Sequence, residues 1–272
     1  MIYVVDQNYF RSDELRDLVL REPRAKFVIP DVALLEMCKG DRWRETMQGS
    51  LDTLANCRTR VFHSISVGEG LKHELETQSS IEGRLLPLKF RQFIRSVLED
   101  IELGACTAGV RMISEKILEA QEDIRSEELD HGRNDRSLKT RTQIIEQVLN
   151  GEPLKQLKNG RASDDDRLAL IHRISLDLLR SHLEQGGSSK NKIKVFLKTK
   201  PLLLRYFFLS VRHAVEWAKM GGLASLPTAK VTNDILDQDY VAIGSFFDKI
   251  LSKERRVLEA DADLRLLLAR NV

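Results

Sequence analysis

Three short runs of β-branched and aromatic residues constrain the fold most, because segments with helical character separate them. The runs are IYVV at residues 2–5, KFVIP at residues 26–30 and RVFHSI at residues 60–65. A continuous apolar run of this length is typical of a parallel strand that is covered on both faces. After the first run, residues 12–22 begin with a capping serine and two acidic residues, which predicts a helix. Strands that alternate with helices indicate βαβ units and a parallel sheet.

The alternation continues and then stops. Asp31 is predicted to cap a helix that ends at Gly40, and another helix is predicted from about Arg42 to Asn56. From Val67 the chain shows charged helical periods without a convincing strand, until α/β character returns at KILSK, residues 249–253. We therefore predict an α/β fold with a parallel sheet. Residues 1–66 and 220–272 form its core, and residues 67–219 form a mostly helical insertion.

Composition limits the class of protein. The 272 residues are 42% hydrophobic and 31% charged with a net charge of +2, which predicts a soluble globular chain. With so small a net charge, affinity for nucleic acid has to come from local clusters of basic residues. The three cysteines lie far apart, which argues against a disulfide framework or a zinc site and favours a reducing cytoplasm. The longest apolar stretch is interrupted by Arg205, so no membrane partner is expected.

Four acidic residues fall where a parallel sheet binds ligands, beyond the carboxyl ends of its strands. Asp6 ends the first strand, Glu36 lies in the helix after the second, Asp237 is predicted to start a late helix, and Glu254 follows the late strand. Converging carboxylates repel one another, and a hard divalent cation relieves that repulsion. An all-oxygen ligand set favours Mg²⁺ or Mn²⁺. For the third ligand, Asp234 and Asp239 compete with Asp237.

The segments that carry these acids resemble a known family. They read VVDQNYF from residue 4, IPDVALLEMCKG from residue 29 and NDILDQDYVAIGSFFDKILSKER from residue 233. In this order they resemble the PIN-domain family of metal-dependent ribonucleases. The resemblance implies an α/β/α sandwich with a catalytic, metal-binding cluster of Asp6, Glu36, Asp237 and Glu254. It also implies an endonuclease that hydrolyses RNA phosphodiester bonds with Mg²⁺ or Mn²⁺, with DNA as the less favoured substrate. Many such proteins are toxins held by an antitoxin, or effectors of antiviral defence, so an antitoxin or regulatory protein is a further expected partner. Self-association into a homo-oligomer is left open.

Each acid also has a simpler interpretation. Asp6 can cap a turn after the strand, and Glu36 can pair with a core arginine. Asp234 and Asp237 suit the positive N-terminal end of a helix, and Glu254 can be a first-turn acid of the last helix. The joint order and spacing of the acids favour the metal cluster over these separate explanations.

A lysine-rich segment, KNKIKVFLKTK at residues 190–200, surrounds one phenylalanine. Lysines interleaved with an aromatic residue suit a surface that contacts phosphates, whereas a solvated helix or edge strand is the simpler interpretation. The predicted nucleic-acid contacts are Lys190, Lys192, Lys194, Lys198 and Lys200.

Two other functions remain open. Arg167 and His172 have the spacing used by helical ribonucleases that resemble HEPN domains, and Arg58 and His63 repeat that spacing. The other alternative is a nucleic-acid-binding adaptor with a PIN-like fold and no catalysis. Metal-dependent cleavage that is lost when Asp6 is replaced separates the metal-dependent nuclease from both.

Overall fold

The computed structural model describes residues 1–38, 42–103, 152–159, 161–222 and 225–270. The chain divides into two compact units. The sheet unit consists of Met1–Lys72, Ile81–Ser126 and Asp239–Asp261. The helical unit consists of His73–Ser80, Glu127–Gln238 and Ala262–Val272.

The described residues are mostly helical and contain one four-stranded sheet. The strands are β1 (Ile2–Val5), β2 (Lys26–Ile29), β3 (Val61–His63) and β4 (Lys249–Leu251). The first five helices are α1 (Asp13–Arg21), α2 (Asp31–Met37), α3 (Trp43–Ala55), α4 (Val67–Thr77) and α5 (Leu88–Leu103). The others are α6 (Glu152–Lys158), α7 (Asp164–Gln185), α8 (Lys190–Lys198), α9 (Leu202–Lys219), α10 (Thr228–Gly244) and α11 (Arg255–Ala269).

The sheet is parallel throughout, with the strand order β3-β2-β1-β4. Val4 pairs with Val28 on one side of β1 and with Ile250 on the other, so the strand ends are in register. These residues are almost completely buried, as expected for parallel strands covered on both faces. The predicted α/β class and the parallel sheet are therefore confirmed. This sheet brings the carboxyl ends of all four strands to one edge.

The starts of three helices test the sequence patterns. Ser12 caps α1 as predicted, since its side chain accepts a hydrogen bond from the Leu15 amide. Asp31 does not cap α2: Pro30 is the N-cap, and Asp31 is already the first helical residue. Helix α3 agrees with the predicted range, with Arg42 and Asn56 as its two caps. Gly40, the predicted end of α2, lies outside the described residues.

The late helix begins earlier than predicted. Asp237 was expected to start it, but α10 already begins at Thr228 and places Asp237 in its third turn. The physical reason is Pro227, whose carbonyl accepts the amides of Lys230 and Val231. Proline is favoured before or within a first helical turn, because its missing N–H would have no partner there.

Gly244, at the end of α10, lies against β4. A Cβ atom at this position would lie 2.4 Å from the side chain of Ile250, which is itself buried. Only a glycine therefore allows the end of the helix to approach this strand so closely.

Helix α5 does not follow the predicted division of the chain at residues 66 and 220. It packs against α3 and β3 and belongs to the sheet unit. Its buried residues Phe93, Ile94, Val97 and Leu98 explain this placement, because they form an apolar stripe at helical spacing.

The helical unit is built around α7 and α9, which pack together. A fully buried carboxylate, Glu74, accepts the backbone amides of Leu202 at 3.0 Å and Leu203 at 2.7 Å. It thereby satisfies two of the free N–H groups at the start of α9, where Pro201 offers no side-chain cap. None of the helices in the described ranges has the length and apolar character needed to span a membrane. Cys38 and Cys57 are free thiols, and Cys106 lies outside these ranges.

Candidate functional site

Asp6 lies at the carboxyl end of β1, one residue beyond the strand, and its side chain is only 4% exposed. Its carboxylate accepts a hydrogen bond from the hydroxyl of Ser252, which follows β4. Burial raises the pKa of Asp6 to about 6, and the neighbouring charges of Glu254 and Glu36 act in the same direction. The bond from Ser252 opposes this shift only in part. Asp6 is thus a buried acid beside two other carboxylates.

Glu36 reaches the same edge from α2. One of its carboxylate oxygens accepts the phenolic O–H of Tyr240 at 2.6 Å. Tyr240 is almost fully buried, and its pKa is raised by burial and by the charge of Glu36, so the phenol remains a proton donor. Tyr240 therefore fixes the position of the Glu36 carboxylate.

Glu254 comes from the loop after β4 and is exposed. Its carboxylate accepts a hydrogen bond from the side-chain amide of Asn8 at 3.0 Å, and the side-chain oxygen Oδ1 of Asn8 accepts the backbone amide of Lys253 at 3.0 Å. The backbone amide of Glu254 also donates to Ser252 at 2.9 Å. Asn8 and Ser252 therefore join the loops that follow the two neighbouring strands β1 and β4.

The chemistry of this acidic cluster, defined as Asp6, Glu36 and Glu254, fits a hard divalent cation. All donors are carboxylate oxygens, and the pKa of Asp6 is raised by burial and by the charges of Glu254 and Glu36. Asp6, Glu36 and Glu254 are the residues that would hold such an ion. Among the residues that the structure describes, however, no group of three or more His, Cys, Asp or Glu side chains is placed to hold an ion.

A second acidic pair lies beyond β2 in the same unit. Burial and the charge of Asp31 raise the pKa of Asp239 to about 7. Asp31 also lies 3.5 Å from Nε2 of His63, at the end of β3, while Nδ1 of His63 donates to the Ile29 carbonyl. Asp239, which competes with Asp237 for the third ligand position, is thus influenced by the charge of Asp31, which lies two residues beyond β2.

The other two candidate acids of α10 belong to the helical unit. The Asp234 carboxylate accepts hydrogen bonds from Nε1 of Trp217 at 2.8 Å and from Nζ of Lys230 at 2.6 Å. Burial acts to raise the pKa of Asp234, but these two donors outweigh it and hold the pKa below its ordinary value. Asp234 therefore joins α9 to α10 within this unit. Asp237 is partly exposed.

The first nine residues of the lysine-rich segment form helix α8, which is capped by Ser189, and Lys200 lies beyond its end. All five lysines, Lys190, Lys192, Lys194, Lys198 and Lys200, are exposed. Ile193, Phe196 and Leu197 are buried and attach the helix to its unit. Phe196 is therefore not accessible for stacking on a base. The exposed lysines supply positive charge without an aromatic contact from this residue.

Arg167 and His172 make contacts inside the helical unit. Arg167 forms a two-point ion pair with Asp263, at 2.9 and 3.0 Å, and the same carboxylate binds Arg212. The ring of His172 stacks on Phe208 with centroids 5.5 Å apart. His213 likewise stacks on Trp217, with ring centroids 5.7 Å apart.

Reasoning from the sequence missed Ser252, Asn8 and Tyr240, which hold the acids in place, and it read Asp31 only as a helix cap. For Asp31 a signal existed, since it follows a strand end just as Asp6 does. Comparisons of the chain with models of protein families, with curated proteins and with solved structures found no match.

Proposed function

We propose that this chain is a divalent-metal-dependent nuclease that hydrolyses RNA phosphodiester bonds at the acidic cluster, in the manner its resemblance to PIN domains implies. The observation that carries the proposal is Asp6, which is buried at a strand end with its pKa raised to about 6. At neutral pH Asp6 is still ionised in the folded chain, although burial and two nearby carboxylates disfavour its charge. Such an arrangement favours a site whose counter-ion is a ligand.

Each residue of the acidic cluster would have a different role. Asp6 supplies a fixed charge, Glu36 is oriented by Tyr240, and exposed Glu254 can reach solvent. A bound Mg²⁺ or Mn²⁺ would supply Lewis acidity for attack of water on the phosphodiester. Positioning of Glu36 by a buried phenol matters because hydrogen-bond partners of ligands tune metal affinity.

The test is cleavage of labelled single-stranded RNA and DNA by purified protein, with Mn²⁺ or with EDTA. We expect RNA cleavage only with Mn²⁺, and none by Asp6→Asn. Asp17→Asn is the matched control, because Asp17 is an exposed acid of the same unit, distant in sequence from every strand end.

Binding of the ion is measured separately from cleavage. Mn²⁺ should raise the melting temperature of the wild type by mass action, and Asp6→Asn should abolish this rise. An Asp6→Asn protein that still responds fully to Mn²⁺ contradicts the proposed metal cluster. Metal binding without cleavage would favour the non-catalytic adaptor. A role as a toxin, with an antitoxin as partner, or as a defence effector follows from the resemblance alone and stays a prediction.

A further inference from the structure

A cavity of about 300 Å³ opens in the helical unit. It lies where the C-terminal ends of α4 and α7 meet the loop before α8, and its walls include Leu75, Gln78, His182, Leu183 and Ser188. This volume is at the lower end of the range for ligand pockets. It suits one flat ring of moderate size and excludes a large cofactor.

Gln78 is held at this cavity in an unusual backbone conformation. It follows α4, its amide donates to the Glu74 carbonyl, and its φ is +51°. Glycine normally occupies this left-handed position after a helix, because a residue with a Cβ atom is strained there. The sequence thus retains an amide side chain where glycine would be more stable.

The side-chain amide of Gln78 has a free bonding position. Its Nε2 donates to the hydroxyl of Ser188, while its Oε1 is buried and has no hydrogen-bond partner among the described residues. A buried polar atom without a partner is costly, and a ligand that supplies a donor removes the cost. Exocyclic amino groups and ring N–H groups of nucleobases are such donors.

The remaining surroundings match a base that is linked to a phosphate. Leu75 and Leu183 are apolar, and the His182 ring, which packs against Phe207 with centroids 6.2 Å apart, offers an aromatic face. Two exposed lysines, Lys190 and Lys192, follow Ser188 within one turn of α8. The residues that line the cavity are therefore close in sequence to two lysines, whose positive charges can contact phosphates.

We propose that this cavity binds a single base of a single-stranded RNA while the lysines of α8 contact the adjoining phosphates. The assignment goes beyond the proposed nuclease activity, because no residue of the acidic cluster takes part and binding needs no metal. It also supplies the ring contact that buried Phe196 cannot provide.

The test measures binding of a fluorescent single-stranded RNA in EDTA by anisotropy, at several salt concentrations. Gln78→Gly should weaken binding about tenfold, the order of magnitude of one lost base contact. It should also leave the salt dependence unchanged and the melting temperature equal or higher, since glycine relieves the strained backbone. Lys192→Gln should weaken binding and flatten the salt dependence by about 0.7 in log–log slope.

Two controls make the result specific. Gln156→Ala, at an exposed glutamine of α6, should bind like the wild type. An abasic strand of equal length should bind the wild type and Gln78→Gly with equal affinity, because it lacks the ring that the cavity accepts. Wild-type affinity of Gln78→Gly for normal RNA overturns the proposal. Mononucleotides that bind as tightly as the strand would identify a free nucleotide as the occupant and overturn the assignment to RNA.

Discussion

The raised pKa of Asp6 predicts how the stability of the protein depends on pH. The folded-state pKa is about 6 against an ordinary value of 3.8, so the folded protein holds this proton more tightly than the unfolded chain does. The contribution of this proton to the free energy of unfolding is therefore complete below the ordinary pKa of Asp. It decreases as the pH rises through about 6, and above that pH it does not change further. At ~1.4 kcal/mol for each pKa unit, ionised Asp6 reduces the free energy of unfolding by about 3 kcal/mol. Solvent screens this contribution little, because Asp6 is buried.

Asp6→Asn isolates this contribution. The amide has nearly the same shape, its oxygen can still accept the Ser252 hydroxyl, and it carries no charge. Urea unfolding in the absence of metal, repeated over a pH series, measures the difference between the two proteins. We expect equal stability near the ordinary pKa of Asp, and an advantage for Asp6→Asn that grows to about 3 kcal/mol once the pH exceeds about 6.

Addition of Mn²⁺ at neutral pH should remove most of this advantage, since the ion stabilises only the ionised wild-type cluster. Asp17→Asn, which changes an exposed carboxylate, should follow the wild-type curve closely. A difference between wild type and Asp6→Asn that does not change with pH would contradict this role of the buried charge. An amide variant that is the less stable protein at neutral pH would contradict it as well.

Three further substitutions test single contacts. Tyr240→Phe removes the donor to Glu36 and should weaken Mn²⁺ affinity by about tenfold with little change in fold, measured by titration; unchanged affinity contradicts the positioning role. Glu74→Ala leaves two amides of α9 without an acceptor and should lower the free energy of unfolding by about 3 kcal/mol, whereas a loss below ~1 kcal/mol contradicts the buried cap. Gly244→Ala forces a Cβ atom against Ile250 and should cost about 1–3 kcal/mol in urea unfolding; a neutral effect would show that β4 can yield.

The sheet could be predicted from the sequence because its signal is local. Each strand is a short continuous apolar run, and the turn or helix after it has its own start signals, such as the cap at Ser12. The parallel order then places Asp6 and Glu254 at one edge without any knowledge of side-chain contacts. These inferences need only neighbouring residues and the general rule that parallel strands share the direction of their carboxyl ends.

The contacts that hold the acids in place could not be predicted in this way. Ser252 reaches Asp6 across 246 positions of sequence, and Tyr240 reaches Glu36 across 204. Nothing in the local pattern distinguishes Tyr240 from any other member of an apolar helical stripe. Its hydroxyl becomes important only because the fold places a carboxylate of α2 beside it.

The rotation of α10 decides which of its acids belongs with the strand ends. Two observations within the sheet unit bear on that rotation: Tyr240 donates a hydrogen bond to Glu36, and burial together with the charge of Asp31 raises the pKa of Asp239. At about 100° for each residue, Asp237 lies roughly 160° around the helix from Asp239, so the two acids cannot point in the same direction. We therefore expect Asp239 to contribute more than Asp237 at the strand ends, although Asp237 was the ligand predicted from the sequence. Asp239→Asn should reduce Mn²⁺-dependent RNA cleavage more than Asp237→Asn, and it should not destabilise the metal-free protein because it removes a charge that Asp31 repels. Cleavage rates of the two variants, each compared with its urea unfolding curve, measure this directly. A larger loss of activity in a folded Asp237→Asn protein would instead support Asp237 as the ligand.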